Sequence, residues 1–410
     1  MKGYITFTIL SKNLYPLGRK SFLIKVSLRE IDAFPYLKDK IWFNNAAQGV
    51  TPESTTRVVE KYISDFCSAM RGEKPSDTNY AEVRNNSKKL FSVVIGAKTS
   101  EIAFVPNATT GINTSFSMIP FKQGDNVVLS DLSYPMGATV VNRQRLNGVT
   151  PRFVKNLDGE VDLSEWEKAI DDSTKAVMID QPGWLNGFLY DLKPIAELAH
   201  DHGAYLVIDA TQSAGGHVWD AHAEGVDFLA TSTYKWLLGS PYPNNVGFLY
   251  VKEEHIEDLQ PDYVGSQTLP TDEEKANQED AFTLYDYKSR NDIGKIEVYN
   301  QSQLGYVMVE NSMKMLLRQG IDRVEKQIRK VDTRIIDGLT ALGVKLKTPI
   351  DEGRRLYLNA LVPKYKEICA DLAKQNVYIS PRVGGLRISP GAFNEVYEAD
   401  EFLDKLKPLL

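Results

Sequence analysis

The stretch between residues 175 and 209 holds a strand–helix–strand pattern, which constrains the fold more than any other feature. Lys175–Asp180 and Ala204–Asp209 are apolar runs of strand length. Between them, Leu192–His202 carries apolar residues at helical spacing, and Gly203 follows where helices commonly end. Two such strands joined by a helix predict a βαβ unit, and therefore a parallel sheet with helices on both faces.

Further segments extend this pattern on both sides. Additional strands are predicted at Glu101–Val105, Asn126–Leu129, Val226–Thr231 and Asn245–Val251. The C-terminal part predicts two helices and three short strands, at Gln301–Leu317, Ile321–Leu342, Val344–Leu346, Leu356–Leu361 and Leu386–Ile388. The polar stretch from Pro261 to Asp292 predicts a long loop or flap. We expect an α/β large domain over residues 41–298, a smaller α+β domain over 299–410, and an N-terminal segment, 1–40, packed on the smaller domain.

The charge and cysteine content exclude several classes of protein. The chain has 410 residues and a formal net charge of -6, which argues against a broad basic surface for nucleic acid. Its two cysteines, Cys67 and Cys369, form neither a disulfide framework nor a metal cluster, and they favour a reducing, cytoplasmic setting. No apolar run is long enough for a membrane span.

Two short motifs follow predicted strands and indicate an anionic, nitrogen-containing ligand. Asn107–Gly111 reads NATTG at the start of a helix, where free backbone N–H groups attract phosphate. Asp209 ends an apolar strand, where a carboxylate can pair with a protonated ring nitrogen. Each motif alone also fits a plain helix cap, because Asn, Thr and Asp are common caps.

Two basic residues complete the set. Lys235 lies in TSTYKW after a predicted strand, where apolar neighbours would lower its pKa and make it a nucleophile. Arg387 lies between apolar residues in a short strand, where it needs an anionic partner such as a substrate carboxylate. The alternatives are a surface lysine and an internal arginine ion pair.

The order of these four motifs resembles the class V aminotransferase family of PLP-dependent (pyridoxal 5'-phosphate) fold type I enzymes. The similarity runs from Ile41 to Phe402 and includes the segment Ile41–Gly49, IWFNNAAQG. That family includes cysteine desulfurases, isopenicillin N epimerase-like proteins, kynureninase and C–S lyases. The resemblance implies PLP as cofactor, a homodimer, and an amino-acid-like substrate.

The resemblance also assigns roles to individual residues. Lys235 matches the Schiff-base lysine and Asp209 the partner of the pyridine nitrogen, and both are expected to be catalytic. Five further positions match cofactor ligands: Ala108, Thr109, Ser232 and Tyr234 for the phosphate, and Gln212 for the ring hydroxyl. Tyr134 is expected to stack on the ring, and Asn300 stands where a neighbouring subunit reaches the phosphate. Arg387, Ala47 and Trp184 are expected to contact the substrate, and no metal ligands are identified. The pocket is expected to be aromatic, because Trp42, Tyr134, Trp184, Tyr234 and Trp236 all fall near motif positions.

The chain departs from the family pattern at its closing segment. Cysteine desulfurases carry a catalytic cysteine shortly before the final arginine, and Ser380–Gly385 has none. We therefore expect an aminotransferase, with a C–S lyase, desulfurase-like or epimerase activity as the alternative. A non-catalytic α/β ligand-binding protein is a further reading, although no dinucleotide or P-loop motif follows a strand. Arg290 and Lys295 are candidates for binding a second acidic group of the substrate.

Overall fold

The structure is a computed structural model that describes residues 33–73, 78–239, 246–270, 289–298 and 302–410. Its centre is a sheet of seven strands, and a short strand, β1 (Ile41–Trp42), lies outside it. The seven strands are β2 (Ile102–Val105), β3 (Asn126–Ser130), β4 (Thr150–Val154), β5 (Thr174–Asp180), β6 (Tyr205–Asp209), β7 (Phe228–Ser232) and β8 (Gly247–Val251). Their order across the sheet is β2-β8-β7-β6-β5-β3-β4. Only β8 among these seven runs antiparallel to its neighbours, so the sheet is mostly parallel, as predicted.

Helices connect the strands and cover the sheet. In chain order they are α1 (Glu53–Met70), α2 (Tyr80–Ile95), α3 (Ala108–Met118), α4 (Pro135–Arg143), α5 (Leu163–Ala169), α6 (Leu192–Asp201), α7 (Glu253–Ile256), α8 (Gln303–Gln319), α9 (Ile321–Ala341), α10 (Tyr365–Lys374) and α11 (Val396–Leu406). Short 3-10 turns lie at Pro35–Leu37, Thr99–Glu101, Gln144–Asn147, Ser266–Thr268, Ile293–Ile296, Glu352–Arg354 and Lys407–Leu409. The predicted βαβ unit is confirmed as β5-α6-β6, and Gly203 adopts a left-handed φ of 69° after α6.

Apolar side chains on both faces of the sheet form two separate cores. Successive residues of β5 point to opposite faces, with Ile179 in one core and Met178 in the other. On the first face, the ring of Phe91 from α2 stacks on Phe248 of β8 at a centroid distance of 4.2 Å. Burial on both faces explains why these strands read as continuous apolar runs in the sequence.

A second sheet of four strands is built by the C-terminal part of the chain. It contains β9 (Lys345–Leu346), β10 (Leu358–Leu361), β12 (Ser380–Arg382) and β13 (Gly385–Ile388) in the order β12-β13-β10-β9, while β11 (Val377–Tyr378) pairs with β1. The predicted strands near 345, 358 and 386 are confirmed with shifted ends. The apolar face of this sheet packs on α9, α10 and α11 in a core of its own.

Several sequence predictions fall partly outside the described residues. Within the N-terminal segment the description begins at residue 33, and Phe34 packs on Phe393 at a centroid distance of 4.9 Å. Residues 271–288 of the predicted flap and the candidate ligand Asn300 also lie outside. The domain boundaries remain a prediction. Across the described ranges, no helix combines the length and apolar character that crossing a membrane requires.

Candidate active site

The carboxyl ends of the parallel strands enclose a cavity of about 190 Å³. Parallel strands all end at the same edge of a sheet, so residues distant in sequence meet there. The lining residues are Asn107, Ala108, Thr109, Tyr134, Met136, Asp180, Trp184, Asp209, Thr211, Gln212, Ser232, Tyr234 and Lys235. All but four of the candidate cofactor and substrate residues that the structure describes are in this set. The exceptions are Ala47, Arg290, Lys295 and Arg387.

One end of the cavity is the N-terminus of α3. Asn107 caps this helix, because its side-chain oxygen accepts a hydrogen bond of 2.9 Å from the Thr110 N–H. The Ala108 N–H donates to the Ser232 hydroxyl oxygen at 2.9 Å, which joins the helix start to the end of β7. Thr109 is exposed toward the cavity. Backbone N–H groups and hydroxyls at a helix start form a site for an anionic group such as a phosphate.

The middle of the cavity holds two buried carboxyl groups. Asp209 ends β6 and accepts a hydrogen bond of 2.9 Å from the Thr211 N–H. Asp180 ends β5, is a register partner of Asp209, and accepts the Tyr134 N–H through one oxygen. Its other oxygen, Oδ1, is buried without a hydrogen-bond partner. Burial raises the pKa of both carboxyl groups, and the Asp209 charge raises that of Asp180 further.

Lys235 faces these carboxyl groups from the loop after β7. Burial, followed by the nearby Arg387 cation, lowers the pKa of Lys235 to about 7, while Asp209 opposes this shift. An amine with this pKa is substantially neutral at physiological pH and can act as a nucleophile. The surface-lysine alternative is therefore wrong for Lys235, which is half-buried and lines the cavity.

The segment Asn44–Gly49 packs against the loop that carries Lys235. The Gly49 N–H donates to the Tyr234 carbonyl oxygen at 2.8 Å. A Cβ atom at Gly49 would lie 1.9 Å from the Lys235 carbonyl oxygen, so the contact requires glycine. Ala47 lies in this segment, half-buried, and its N–H donates to the Asn44 carbonyl oxygen rather than toward the cavity.

Gln212 joins this segment to the cavity. Its side-chain N–H donates to the Ala46 carbonyl oxygen at 3.1 Å, and its Oε1 accepts from the Trp236 indole at 3.2 Å. Trp236 therefore lies behind Gln212 and is 2% exposed. The expectation that Trp236 lines an aromatic pocket is wrong, because its ring supports the cavity from outside.

Three aromatic rings do line the cavity: Tyr134, Trp184 and Tyr234. Tyr134 is 41% exposed, and its ring lies 5.4 Å from the Trp184 ring between centroids. An exposed flat ring at this edge is available for stacking. Trp42 was expected here as well, but it lines a separate cavity and donates its indole N–H to the Gln48 carbonyl oxygen.

Arg387 reaches the site from the second sheet. It lies in β13 opposite Asn359 and is 2% exposed. Within the described residues its guanidinium has no carboxylate partner, and its Nε is buried without a hydrogen bond. Burial lowers the pKa of Arg387 to about 10. The internal ion pair considered from the sequence is therefore absent from the described structure, and the side chain is available for an anionic ligand.

The two residues proposed for a second acidic group are engaged elsewhere. Arg290 pairs with Asp292 at 2.6 Å, and the ammonium of Lys295 donates to the Glu257 carbonyl oxygen at 3.1 Å. Neither lines the cavity of this chain. Their position in the sequence suggested a role that their local partners do not support.

The chemistry of the cavity fits the group that the sequence resemblance implies. It offers an anion cup at α3, a carboxylate at Asp209 for a ring nitrogen, an exposed ring at Tyr134 and a nucleophilic amine at Lys235. The unpartnered Nε of Arg387 adds a place for a substrate carboxylate. Asp180 is the one buried carboxyl group of the cavity that the sequence analysis missed, although it also ends a predicted strand.

Relatives and solved structures of similar fold point to one family. The chain is 27% identical to a probable cysteine desulfurase of Methanothermobacter thermautotrophicus over 317 residues, which are 75% of this chain and 76% of the relative. It is 29% identical to an uncharacterised aminotransferase of Bacillus subtilis over 228 residues, 56% of this chain and 59% of the relative.

The same fold occurs in an apo cysteine desulfurase from Thermococcus onnurineus NA1, with a TM-score of 0.81, 23% identity, and 92% of this chain and 96% of that chain covered. It also occurs in a C-DES mutant with glycine covalently linked to its PLP cofactor, with a TM-score of 0.81, 19% identity, and coverage of 92% and 98%. The family model described as aminotransferase class V matches residues 41–356, more than half of the sequence, and the chain therefore belongs to that family.

Proposed function

We propose that the protein is a PLP-dependent enzyme that carries its cofactor on Lys235 and transfers the amino group of an amino acid. One observation carries this proposal. The nucleophilic amine of Lys235 lies in a cavity that contains the Asp209 carboxyl group, and the unpartnered guanidinium of Arg387 is close enough to lower its pKa. An electron sink, an anchoring amine and a carboxylate receptor are what amino-acid chemistry on PLP requires.

In this proposal, the two ends of the cavity hold the cofactor by complementary charges. Thr109, Ser232 and Tyr234, together with the Ala108 backbone at the α3 N-terminus, bind the phosphate. Asp209 would pair with the protonated ring nitrogen of the cofactor, and Gln212 would donate a hydrogen bond to its ring hydroxyl. When bound, PLP supplies an electron sink for the carbanion formed at the substrate Cα.

The protein's own residues then orient the substrate and move its proton. Arg387 binds the substrate carboxylate and so fixes the direction of the Cα–H bond. Trp184 and the backbone at Ala47 lie at the edges of the space that the substrate occupies. With cofactor and substrate bound, the Nζ of Lys235 would take the proton from the substrate Cα as a general base. As a general acid it would then deliver that proton to the cofactor-side carbon of the C=N bond, as transamination requires. A lysine pKa of about 7 suits both directions of this transfer near neutral pH.

The second candidate is a C–S lyase, because the similar proteins include probable cysteine desulfurases. A desulfurase that uses a protein cysteine as sulfur acceptor is less well supported here. Cys67 is exposed on α1, and burial raises the pKa of Cys369 on α10 to about 12. Neither lines the cavity. A lyase of this chain would therefore release its sulfur product without a protein thiolate in the cavity.

We also propose that the protein forms a homodimer and works in the cytoplasm. Ile63, Phe66, Cys67 and Met70 form an apolar stripe on α1 with helical spacing, and the three larger side chains are exposed. Burying such a stripe against a second copy would be favourable. Light scattering coupled to size exclusion should give twice the mass of one chain. Both cysteines are free, which suits a reducing compartment.

The central test is the visible absorption spectrum of purified protein loaded with PLP. We expect a band from the PLP–lysine linkage that is missing in Lys235→Ala and unchanged in Lys193→Ala, whose side chain is exposed on α6. Product analysis with an amino acid and a keto-acid acceptor then separates the two activities. A new amino acid indicates transamination, whereas sulfide from cysteine or cystine indicates the lyase. A wild-type protein that retains no such band after excess PLP is removed would refute the proposal.

A further inference from the structure

The hairpin formed by β12 and β13 presents two arginines on the same face. Leu386 and Ile388 of β13 point into the core of the second sheet, so Arg387 between them points the other way. Arg382 of β12 is the register partner of Gly385, two residues before Arg387. Residues in this diagonal relation share one face of a sheet and lie roughly 7–8 Å apart at their Cα atoms.

That shared face looks toward the active site rather than toward solvent alone. Ser380 on the same face bonds to Asn44 of the segment that packs beside Lys235. Asn359, the register partner of Arg387, donates to the Leu185 carbonyl oxygen at 3.0 Å, next to the cavity residue Trp184. The first bond holds β12 of the hairpin against the Asn44–Gly49 segment, and the second holds the neighbouring strand β10 against the loop that carries Trp184. Both arginines also lie near enough to lower the pKa of Lys235.

Neither guanidinium is neutralised by the described part of the chain. Arg382 donates to its neighbour's carbonyl oxygen, on Pro381, at 2.8 Å, and no described carboxylate pairs with it or with Arg387. Two unpaired guanidinium groups on one face repel each other, and one of them is almost fully buried. The simplest way to satisfy both is a ligand that carries two anionic groups.

We infer that Arg382 is a specificity-determining residue, and that the substrate is an amino acid with a second anionic group, such as a carboxylate, sulfinate or phosphate. The inference rests on the proposed function, in which Arg387 binds the α-carboxylate. Arg382 then binds the second group at the hairpin end of the cavity. The turn after it, at Val383 and Gly384, has φ angles of 44° and 79° and keeps the strands close. The position of Arg382 along the hairpin is therefore fixed.

The experiment compares binding of unreactive mono- and dicarboxylates by isothermal titration calorimetry. Propionate and succinate are titrated into wild-type protein, Arg382→Gln and Arg387→Met, each with PLP and without it. Arg334→Gln serves as the matched control, because Arg334 forms a surface ion pair with Asp400. We expect succinate to bind wild type more tightly than propionate. Arg382→Gln should weaken succinate binding about 10–100-fold, the effect of losing one charge-assisted hydrogen-bonded pair.

Arg382→Gln should leave propionate binding unchanged, whereas Arg387→Met should weaken both ligands. An equal affinity of wild type for succinate and propionate, or no effect of Arg382→Gln on succinate, would overturn the inference. Titration without PLP keeps this test separate from the proposed function. Failure of the protein to bind PLP refutes that function, while a dianion preference that depends on Arg382 would still be measured.

Discussion

Asp180 and Asp209 are register partners at the carboxyl ends of two neighbouring parallel strands, so two buried carboxyl groups share one corner of the cavity. Removal from water raises the pKa of both carboxyl groups, and the Asp209 charge raises that of Asp180 further. The charged form of Asp209 is stabilised by the hydrogen bond that the Thr211 N–H donates to its carboxylate. Asp180 retains one oxygen without a partner. We expect Asp180 to hold a proton when Asp209 is charged.

Replacing Asp180 with Asn should stabilise the PLP-free protein at neutral pH. The raised pKa of Asp180 means that the folded state binds its proton more tightly than the unfolded state, so wild-type stability falls as pH rises above the ordinary aspartate pKa. Asn keeps the acceptor for the Tyr134 N–H and cannot ionise. We expect a gain of about 1–3 kcal/mol at neutral pH that shrinks in acid, measured by denaturant unfolding. A variant less stable than wild type at every pH would contradict this view of Asp180.

The rate at which PLP attaches to Lys235 should depend on pH with a midpoint near the pKa of its amine, about 7. Only the neutral amine is a nucleophile, so capture should accelerate as pH rises through this value. In Arg387→Met the cation that lowers this pKa is lost, and the midpoint should move to higher pH. Stopped-flow absorbance across a pH series measures both midpoints. Identical profiles for the two proteins would exclude the electrostatic link.

Arg387→Met should separate substrate binding from fold stability. Losing the guanidinium should raise the dissociation constant for an amino-acid substrate about 10–100-fold, because charge-assisted hydrogen bonds contribute about 1.5–3 kcal/mol. The unfolding free energy should stay level or increase, because an unpaired buried charge is replaced by an apolar chain of similar length. Spectral titration and thermal unfolding measure the two effects. The Arg387→Lys variant should bind the substrate with an affinity between those of the wild type and Arg387→Met.

Gly49→Ala should displace the loop that carries Lys235, although Gly49 itself does not line the cavity. The added Cβ would meet the Lys235 carbonyl oxygen at 1.9 Å, so the loop or the segment must shift. We expect a loss of about 1–3 kcal/mol in unfolding free energy and weaker PLP binding. Gly353→Ala is the control, since its Cβ would meet only the Asp351 carboxylate oxygen, at 3.3 Å. Equal behaviour of the two variants would show that the close contact at Gly49 has no role.

The parallel sheet and most of its site residues could be predicted from the sequence for a physical reason. Apolar runs of strand length identify parallel strands, and the polar residue that ends each run must lie at one edge of the sheet. Asp209 follows this rule, and Lys235 lies in the loop directly after such a strand. Asp180 also ends a predicted strand, Lys175–Asp180, but it was not identified as a site residue from the sequence.

Contacts between the two sheets could not be predicted in this way. The contacts of β12 with Asn44 and of β10 with Leu185 depend on how one sheet sits on another, which local spacing does not encode. For the same reason, Trp236 was expected in the cavity although Gln212 separates it from the site. Arg290 was proposed for the substrate from its place in the chain, whereas its nearest anion is Asp292.

In the proposed function, substrate choice and cofactor binding depend on different sheets, and the two-residue turn at Val383 and Gly384 belongs to the sheet that selects the substrate. The residues around Lys235 come from strand ends of the large sheet, whereas Arg382 is placed by a hairpin of the other sheet. Added or deleted residues at this exposed turn would alter what reaches the cavity and leave the strand ends unchanged. We therefore expect that a change in the length of this turn would alter the substrate preference of this protein. The same turn is where loop libraries aimed at a new specificity should begin.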